Sequence, residues 1–516
     1  VILMDASNKN HIRLIDFNIR SDTPNTLFWE TFDSGKTWTK KSNSVVGGWS
    51  QSDEDWGMGY SFQGMQQTIG YNLDNPNFIL WANTQFVYAS STPGQMWYDV
   101  VSDAYGSERF SSRKIDNVVP AIVDVNNADS FNLIYAGYFD LGIWRSRDGG
   151  STWKSLNPGT KWSHNWGGKG GNTLSVVSDP KRANVVWAQV AGDLTDPLHL
   201  VRSYDYGETW TELTNGLPSN KRHIESIELA LDSTIGNRWL YVVANGDVYL
   251  SENDGNSWKN VLTCGDCVGV RYTKNTGVFA FGPSNVWRSW QGGKSGTWNT
   301  VQIDNTGWTQ GQHWLDNQWT YVGPVDIAAN NSPGNNNGFV WIAVKGKGVY
   351  LSLTYGSSFQ KMVYNHPDVR SVHVDSTKGQ VLVGISSALM AGGYDSASMG
   401  LVTSEQGLSS NGWETSNNGL AWPFVTFVIT TPEKGTQWII SPGQGIMKRR
   451  SVICRDKNIR YGKRKRNCRF IKRKKLCDRQ WRRKSVGKYW CPKSCGRCQN
   501  KLKRESMVRR NRTVDL

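Results

Sequence analysis

The sequence lacks any run of about 18 or more apolar residues, which excludes a helix that spans a bilayer. Histidine is scarce as well: there are seven in 516 residues, and none follows His373. The C-terminal part therefore has no imidazole ligand for a zinc site. Hydrophobic residues make up 38% and charged residues 20%, a balance typical of a globular chain rather than a disordered one. The chain begins at Val1, which indicates a processed form or a fragment.

Tryptophan and glycine are abundant, with 26 and 53 residues respectively. They accompany many short, β-rich apolar runs and few long helical patterns. This combination predicts an all-β repeat protein whose loops carry aromatic side chains.

The charge is divided between two parts of the chain. Residues 448–516 contain 28 Lys and Arg against four acidic residues, a net charge of +24, whereas residues 1–447 carry −8. We expect a mildly acidic domain over 1–447, a basic module over 448–500 and a disordered basic tail over 501–516.

The eight cysteines are divided in the same way. Six lie within 45 residues of the basic part, in a segment with almost no apolar core: Cys454, Cys468, Cys477, Cys491, Cys495 and Cys498. This density predicts three disulfides, and hence an extracellular or secretory location. A zinc site is the alternative, but the segment has a single CxxC pair and no histidine. Cys264 and Cys267 are expected to bridge each other.

One short pattern recurs along residues 1–447: an apolar strand, then Ser/Asp-x-Asp-x-Gly-x-Thr-Trp, then a polar strand. Clear copies end at Trp38, Trp153, Trp210 and Trp258, and degraded copies follow the same spacing. We expect the Asp to accept backbone N–H bonds in a turn, the Gly to supply a positive φ, and the Thr or Ser hydroxyl to close the hairpin. The Trp is expected to pack between neighbouring units, so the pattern is interpreted as a folding device.

With its copies at intervals of roughly 37 to 63 residues, the sequence resembles the Asp-box (BNR-repeat) propellers over residues 12–446. These include sialidases, sortilin-type receptors and family 74 xyloglucanases. The resemblance implies a single β-propeller of seven to nine four-stranded blades. We favour eight, with the first and last segments completing one blade.

Binding residues are expected where the loops between second and third strands meet the connections between blades. Three long connections there are rich in aromatic, acidic and amide groups, and the Trp residues expected to contact substrate are Trp49, Trp56, Trp144, Trp162, Trp166, Trp308, Trp314 and Trp319. Exposed rings suit the apolar faces of sugars. Packing of these rings between blades is the alternative.

Two loop carboxylates resemble the essential pair of the family 74 enzymes. Asp140 lies in Asp-Leu-Gly and Asp193 in Gly-Asp-Leu, with Asp55 as a third candidate. The resemblance implies an inverting acid–base pair, which requires a separation of roughly 6.5–9.5 Å. In that family the two carboxylates come from two propellers, whereas this chain has room for one.

The end of the basic module, Cys491-Pro-Lys-Ser-Cys495-Gly-Arg-Cys498, resembles ShK-type domains. The resemblance implies the pairs Cys454–Cys498, Cys468–Cys491 and Cys477–Cys495. The charge density predicts a polyanionic partner, such as an acidic glycan, silica or an anionic surface. Binding to nucleic acid is expected to be incidental in vivo.

These observations predict a secreted protein that binds an extended polysaccharide and leave hydrolysis of the polymer open. A non-catalytic receptor or matrix protein that binds a peptide or protein is the alternative. No metal or cofactor is expected.

Overall fold

The computed structural model describes residues 2–450 and four short strands of the basic module, except for 6–7, 17–26, 42–43, 47–65, 73–74, 84–86, 93–95, 100–111, 118–120, 123–129, 132, 139–141, 148–153, 157–172, 174, 180, 191–198, 220–223, 232–237, 284, 304–321, 331–337, 376–378, 387–397, 421–422, 431–435 and 442–444. These described residues form strands, turns and bends, and include no helix. None of them belongs to a helix long and apolar enough to cross a membrane.

The first half of the chain forms four sheets, each with four strands that pair antiparallel in chain order. Sheet 1 holds β1 (Ile2–Met4), β2 (Ile12–Asp16), β3 (Leu27–Thr31) and β4 (Thr39–Lys41), and β5 (Ser44–Val46) pairs in parallel with β9. Sheet 2 holds β6 (Gln66–Asn72), β7 (Asn75–Asn83), β8 (Val87–Thr92) and β9 (Met96–Asp99). Sheet 3 holds β10 (Ser112–Asn117), β13 (Ile134–Tyr138), β14 (Gly142–Ser146) and β15 (Lys154–Ser155), with β11 (Ala121–Ile122) and β12 (Ser130–Phe131) as a separate pair. Sheet 4 holds β16 (Val176–Ser178), β17 (Val186–Val190), β18 (His199–Ser203) and β19 (Thr211–Glu212).

The second half continues the series. Sheet 5 holds β20 (Ile224–Leu231), β21 (Arg238–Ala244), β22 (Asp247–Ser251) and β23 (Lys259–Leu262). Sheet 6 holds β24 (Gly269–Thr273), β25 (Gly277–Phe281), β26 (Val286–Ser289) and β27 (Trp298–Thr300). Sheet 7 holds β29 (Gly323–Ala329), β30 (Val340–Lys345), β31 (Gly348–Ser352) and β33 (Lys361–Asn365), flanked by the parallel pair β28 (Gln302–Ile303) and β32 (Ser358–Phe359). Sheet 8 holds β34 (Val369–Asp375), β35 (Gln380–Ile385), β36 (Gly400–Ser404) and β37 (Trp413–Thr415).

Sheet 9 has three strands, β38 (Phe427–Thr430), β39 (Thr436–Ser441) and β40 (Gly445–Arg450). In the basic module, β41 (Ile459–Tyr461) pairs with β42 (Arg464–Arg466), and β43 (Gln480–Trp481) with β44 (Lys484–Ser485). We expected the first and last segments to complete one blade. In the described parts of the chain they form two separate sheets instead, sheet 1 and sheet 9.

The core consists of separate apolar clusters, one between each two successive sheets from sheet 3 to sheet 9. Strand β30 shows why its sequence is apolar from Val340 to Val344. Val340 and Ile342 pack against sheet 6, while Trp341 and Ala343 pack against sheet 8. Because both faces of the strand are buried, a continuous apolar run replaces the alternation of a half-exposed strand.

Neighbouring sheets meet mainly through their first strands. From sheet 4 onward, the first strand of each sheet contacts the first and second strands of the preceding one. Strand β10 makes the same kind of contact with β38 and β39 of sheet 9. The series of sheets therefore returns on itself, and the chain is an all-β propeller.

Candidate functional site

In every four-stranded antiparallel sheet, the connections between strands lie at the two opposite ends of the strands. The turns between first and second strands and between third and fourth strands lie at one of these ends, which we call the turn edge. The loops between second and third strands lie at the other, together with the connections to the next sheet. We call this the loop edge, and it is where the candidate binding residues were expected.

The turn edge is built from one repeated, fully hydrogen-bonded turn. In sheet 4 the Ser203 hydroxyl donates to Oδ1 of Asp205 at 2.6 Å and accepts the Gly207 N–H at 2.7 Å. The Thr209 N–H and hydroxyl donate to the two Asp205 oxygens at 2.8 and 2.6 Å. Sheet 1 repeats these contacts around Asp33. The roles expected for Asp and Thr are thus those observed.

The serine or threonine two positions before the Asp belongs to the recurring pattern, but no role was predicted for it from the sequence. Ser203, Thr31 and Ser251 each accept the N–H of the turn glycine through the side-chain oxygen. The degraded copies at Ser289 and Ser352 keep this bond too, at 3.0 and 2.8 Å. The Ser or Thr that recurs two positions before the Asp was the sequence signal that could have revealed this acceptor.

The backbone of the turn is left-handed at two consecutive residues. Gly207 has φ 93°, as expected, but Tyr206 before it also has a positive φ, 66°. Ser34, Asp254 and Tyr355 occupy the same position with the same sign. Positive φ at both central residues is the signature of a type I′ turn.

The carboxylates of these turns are engaged in hydrogen bonds within the turn. Hydrogen bonds from the Thr37 hydroxyl, then from the Thr37 N–H and the Thr31 hydroxyl, hold the pKa of Asp33 well below its usual range. The turn tryptophans pack mostly between sheets: Trp258 is buried and Trp210 partly so, whereas Trp38 is exposed. The turn edge is therefore a structural device.

Rings on the second strands of four sheets donate hydrogen bonds to a turn of the following sheet. Donors from sheets 3, 4, 5 and 7 reach backbone carbonyls of the following turn: Tyr135 to Tyr206, Trp187 to Asp254, Tyr241 to Gly292 and Trp341 to Gly407. Arginines on the third strands reinforce these ties, since Arg145 and Arg202 donate to the same Tyr206 and Asp254 carbonyls. These hydrogen bonds between sheets were not predicted from the sequence.

Trp144 requires a correction, because it was expected to contact a ligand. Its side chain on β14 is fully buried, with no exposed surface. Every residue of β14 is buried, so side chains on both faces of this strand lie inside the protein. Trp144 is a core residue.

The two candidate catalytic loops leave neighbouring sheets at the same edge. Asp140 lies between Tyr138 and Gly142, where β13 ends and β14 begins. Asp193 lies in the corresponding loop of sheet 4, between Val190 and His199. Both aspartates lie outside the described residues, as do Asp55 and the tryptophans at 49, 56, 162, 166, 308, 314 and 319 and the cysteines at 454, 468, 477, 491, 495 and 498.

A disulfide shapes the loop edge beside sheet 5. Cys264 and Cys267 are bridged, with Cα atoms 5.6 Å apart, in the connection that leads to sheet 6. The Cys267 N–H donates to the Gly246 carbonyl at 3.0 Å. A Cβ at Gly246 would lie 2.5 Å from the Gly265 carbonyl oxygen, so this close approach needs glycine. The bridged turn thus packs directly on the loop between β21 and β22.

Charged side chains on three successive first strands form a second polar group. Arg271 of β24 contacts Oδ1 of Asp326 at 3.1 Å and Oε2 of Glu228 at 3.4 Å. Burial raises the pKa of Asp326, and the Arg271 charge opposes that shift. The Val372 N–H also donates to Asp326, which therefore links sheets 6, 7 and 8. The described residues include no group of three or more side chains arranged to hold a metal ion.

Comparisons with known proteins support the fold. No family model and no curated protein matches the sequence. The GH74 xyloglucanase from Xanthomonas campestris is similar in structure, with a TM-score of 0.52 and 13% identity over 86% of this chain. This chain covers 58% of the length of that enzyme. YCF48 from Cyanidioschyzon merolae matches 75% of this chain and 94% of its own length at 12% identity and a TM-score of 0.33. At these identities the likeness shows the propeller fold alone.

Proposed function

We propose that the protein binds an extended polysaccharide across the loop edge of the propeller. One observation supports this proposal. Because the strands pair antiparallel, the loops of Asp140 and Asp193 and the Trp-rich connections all leave the sheets at the loop edge. The polar groups of the turn edge, in contrast, hydrogen-bond to one another. Rings and carboxylates that share one edge suit a sugar chain, whose faces are apolar and whose rim is polar.

Hydrolysis of the bound polymer is the second step of the proposal. Asp140 and Asp193 leave adjacent sheets, so one sugar ring can lie between them, with Asp140 as general base and Asp193 as general acid. The similarity of the fold to a GH74 xyloglucanase supports this choice of chemistry, and xyloglucan is therefore the first polymer to test.

The proposal also covers the repeated turns, the number of blades and the basic module. The repeated turns are Asp-boxes, and sheets 3 to 9 form a ring of seven blades, since β10 contacts β38 and β39. The basic module is a secreted, ShK-like unit that anchors the propeller to a polyanion through its positive charge. A polysaccharide-binding domain that a basic module attaches to a polyanion is suited to an extracellular matrix.

Polysaccharide affinity electrophoresis of the full chain tests the binding step. Xyloglucan and other neutral β-glucans should retard the wild type, and paired Trp162→Ala and Trp166→Ala changes should reduce retardation by about tenfold or more. Trp290→Ala is the matched control, because Trp290 is an exposed ring at the turn edge. Equal effects of both changes, or no retardation of the wild type, would overturn the proposal and favour a receptor for peptides or proteins.

Reducing-end release tests the catalytic step. Asp140→Asn and Asp193→Asn should each lower the rate by a factor of about 100 or more while binding persists. Asp232→Asn makes the same change in a loop at the turn edge and should leave the rate unchanged. Unaltered release in both loop-edge variants removes the assignment of these two residues.

A further inference from the structure

Sheet 1 presents an apolar face that is largely exposed. Ile2 and Met4 of β1 are 66% and 59% exposed, and of the strands whose side chains are described, β1 alone carries two exposed large apolar residues. Antiparallel pairing places Leu14 and Ile12 of β2 opposite them, so all four side chains share one face of the sheet. A contiguous apolar surface of this kind marks an interaction site on a soluble protein.

Sheet 7 shows what the same face does elsewhere in the molecule. Thr31 and Ser352 occupy the same place in their turns, since each accepts the N–H of the turn glycine. Counting from these two residues along the paired strands matches six positions of sheet 1 to six of sheet 7. The pairs are Ile2 with Ile327, Met4 with Ala329, Ile12 with Val340, Leu14 with Ile342, Trp29 with Tyr350 and Trp38 with Phe359.

The six residues of sheet 7 are all buried between blades. They belong to the apolar cluster that sheet 7 forms with sheet 6, the sheet before it, and none is more than 6% exposed. In sheet 1 the corresponding face is open, and Trp38 is 38% exposed where Phe359 is fully buried. Sheet 1 thus has the contact surface of a blade without a sheet that precedes it.

The opposite face of sheet 1 is closed. Arg13 and Glu30 lie opposite each other on that face, are joined by a hydrogen bond of 3.1 Å and are both buried. Strand β1 contacts β6, the first strand of sheet 2, so sheet 2 takes the place of the following blade. The open surface is therefore confined to the face that bears Ile2 and Met4.

The identity of the covering surface follows from what the described sheets leave free. Sheets 3 to 9 pack against one another in a closed series. Among the sheet faces whose side chains are described, the open one is that of sheet 1 itself, so the matching surface is the same face of a second copy. Two sheets pack face to face through apolar side chains, and identical faces give a two-fold contact.

We propose that the protein self-associates as a two-fold dimer through the apolar face of sheet 1, with Ile2, Met4 and Trp38 of each copy in the contact. This inference goes beyond the proposed binding of polysaccharide and does not depend on it. The contact uses strands outside the series of sheets 3 to 9, and the loops of Asp140 and Asp193 belong to sheets 3 and 4.

Sedimentation velocity of the full chain measures the association. The wild type should dimerise with a Kd of about 1–10 μM, and Met4→Lys should raise this Kd by about 100-fold because the contact would desolvate a lysine of each copy. Met4 is exposed in the single chain, so this change should leave the fold intact. Leu353→Lys is the matched control, since it alters a 57% exposed leucine in a turn of sheet 7, and it should leave the Kd unchanged.

Ionic strength separates this contact from electrostatic association. The acidic propeller of one copy attracts the basic module of another, and raising the salt from about 0.15 to 0.5 M should weaken that attraction. An apolar contact does not depend on charge, so the dimer proposed here should persist in the higher salt.

The outcomes are distinct from those of the polysaccharide assay. A wild type that stays monomeric at about 100 μM overturns the dimer and assigns the open face to a different partner. Equal effects of Met4→Lys and Leu353→Lys, or dissociation in high salt, overturn it as well. If Met4→Lys does not fold, Ile2→Lys takes its place. Monomeric Met4→Lys should still be retarded by xyloglucan, so loss of the dimer and loss of sugar binding are separate results.

Discussion

The indole Nε1 of Trp187 lies 3.0 Å from the carbonyl oxygen of Asp254 and donates a hydrogen bond to it across 67 residues of chain. Trp187 belongs to β17 of sheet 4, and Asp254 to the turn between β22 and β23 of sheet 5. Arg202 donates to the same oxygen at 2.8 Å. One carbonyl thus receives two donors from the neighbouring sheet.

Removing the Trp187 hydrogen-bond donor should therefore weaken the contact between sheets 4 and 5 while most of the core packing is kept. We expect Trp187→Phe to lower the free energy of unfolding by about 1 kcal/mol, and Trp187→Ala by about 3–5 kcal/mol because it also leaves a cavity. Denaturant unfolding followed by Trp fluorescence measures both. Trp290→Phe, which alters an exposed ring, should be neutral. A neutral Trp187→Phe would show that Arg202 alone suffices.

The turn carboxylate can be tested against a natural counterpart. Asn253 of sheet 5 occupies the position of Asp205, accepts the Ser257 N–H at 2.9 Å and donates to the Ser257 hydroxyl at 2.8 Å. We therefore expect Asp205→Asn to cost less than about 0.5 kcal/mol and Asp205→Ala about 1–2 kcal/mol. Thermal unfolding measures the difference. Equal losses in the two variants would mean that the charge, not the hydrogen bonds, stabilises the turn.

The pH dependence of that turn has a definite sign. Burial alone would raise the pKa of Asp205, but hydrogen bonds from Ser203 and Thr209 outweigh it and lower the pKa. A carboxyl with a lowered folded-state pKa stabilises the fold above its unfolded pKa of about 4 and loses this contribution as the pH falls further. The difference between wild type and Asp205→Ala should thus shrink below pH 4.

The repeated turns were predictable because their chemistry is local. Asp205, Gly207 and Thr209 lie within five residues, and each has a side chain or φ that the turn requires. The positive φ of Tyr206 was not predictable, since no aromatic residue favours it. The hydrogen bond from Trp187 to Asp254 was not predictable for another reason. Its two residues come together only when the sheets pack against each other, and the local sequence does not indicate which sheets become neighbours.

Trp144 shows why the sequence pattern could not identify the ligand-contacting rings of the candidate site. Its neighbours suggested a loop, yet the loop between β13 and β14 has only three residues between Tyr138 and Gly142. Two residues into β14 the chain is already in the core. Because strands of a propeller are buried on both faces, alternation does not tell an inward ring from one that meets a ligand.

The bridge between Cys264 and Cys267 should support the loop between β21 and β22. Closing so short a loop limits the stabilisation to about 2 kcal/mol or less. We expect the double change to serine to lose up to that amount. Hydrogen exchange at the Cys267 amide, which donates to Gly246, should accelerate more than that at Val270 within β24. Mild reduction of the wild type should reproduce the result. Unchanged exchange at Cys267 would contradict a supporting role.

His373 of sheet 8 should make the contact with sheet 9 sensitive to acid. Its Nε2 accepts the Thr430 N–H at 3.1 Å and lies 2.7 Å from the Thr430 hydroxyl. Burial lowers the pKa of His373 from 6.5 to about 4, against a smaller opposing effect of Asp375. The unfolded chain therefore binds a proton first as the pH falls, and folding stability decreases from about pH 6.5 down to about pH 4.

Replacing His373 with glutamine tests this sensitivity, since an amide can still accept the Thr430 N–H but does not titrate. We expect His373→Gln to flatten the stability profile between pH 6.5 and 4 while wild type and variant stay within about 1 kcal/mol at pH 7.5. His199→Gln is the control, because His199 is partly exposed and pairs with Glu212 within sheet 4. Denaturant midpoints at half-unit steps of pH supply the measurement. An identical slope in wild type and His373→Gln would place the acid-sensitive group elsewhere, because the Thr430 contact would then not depend on the protonation of His373.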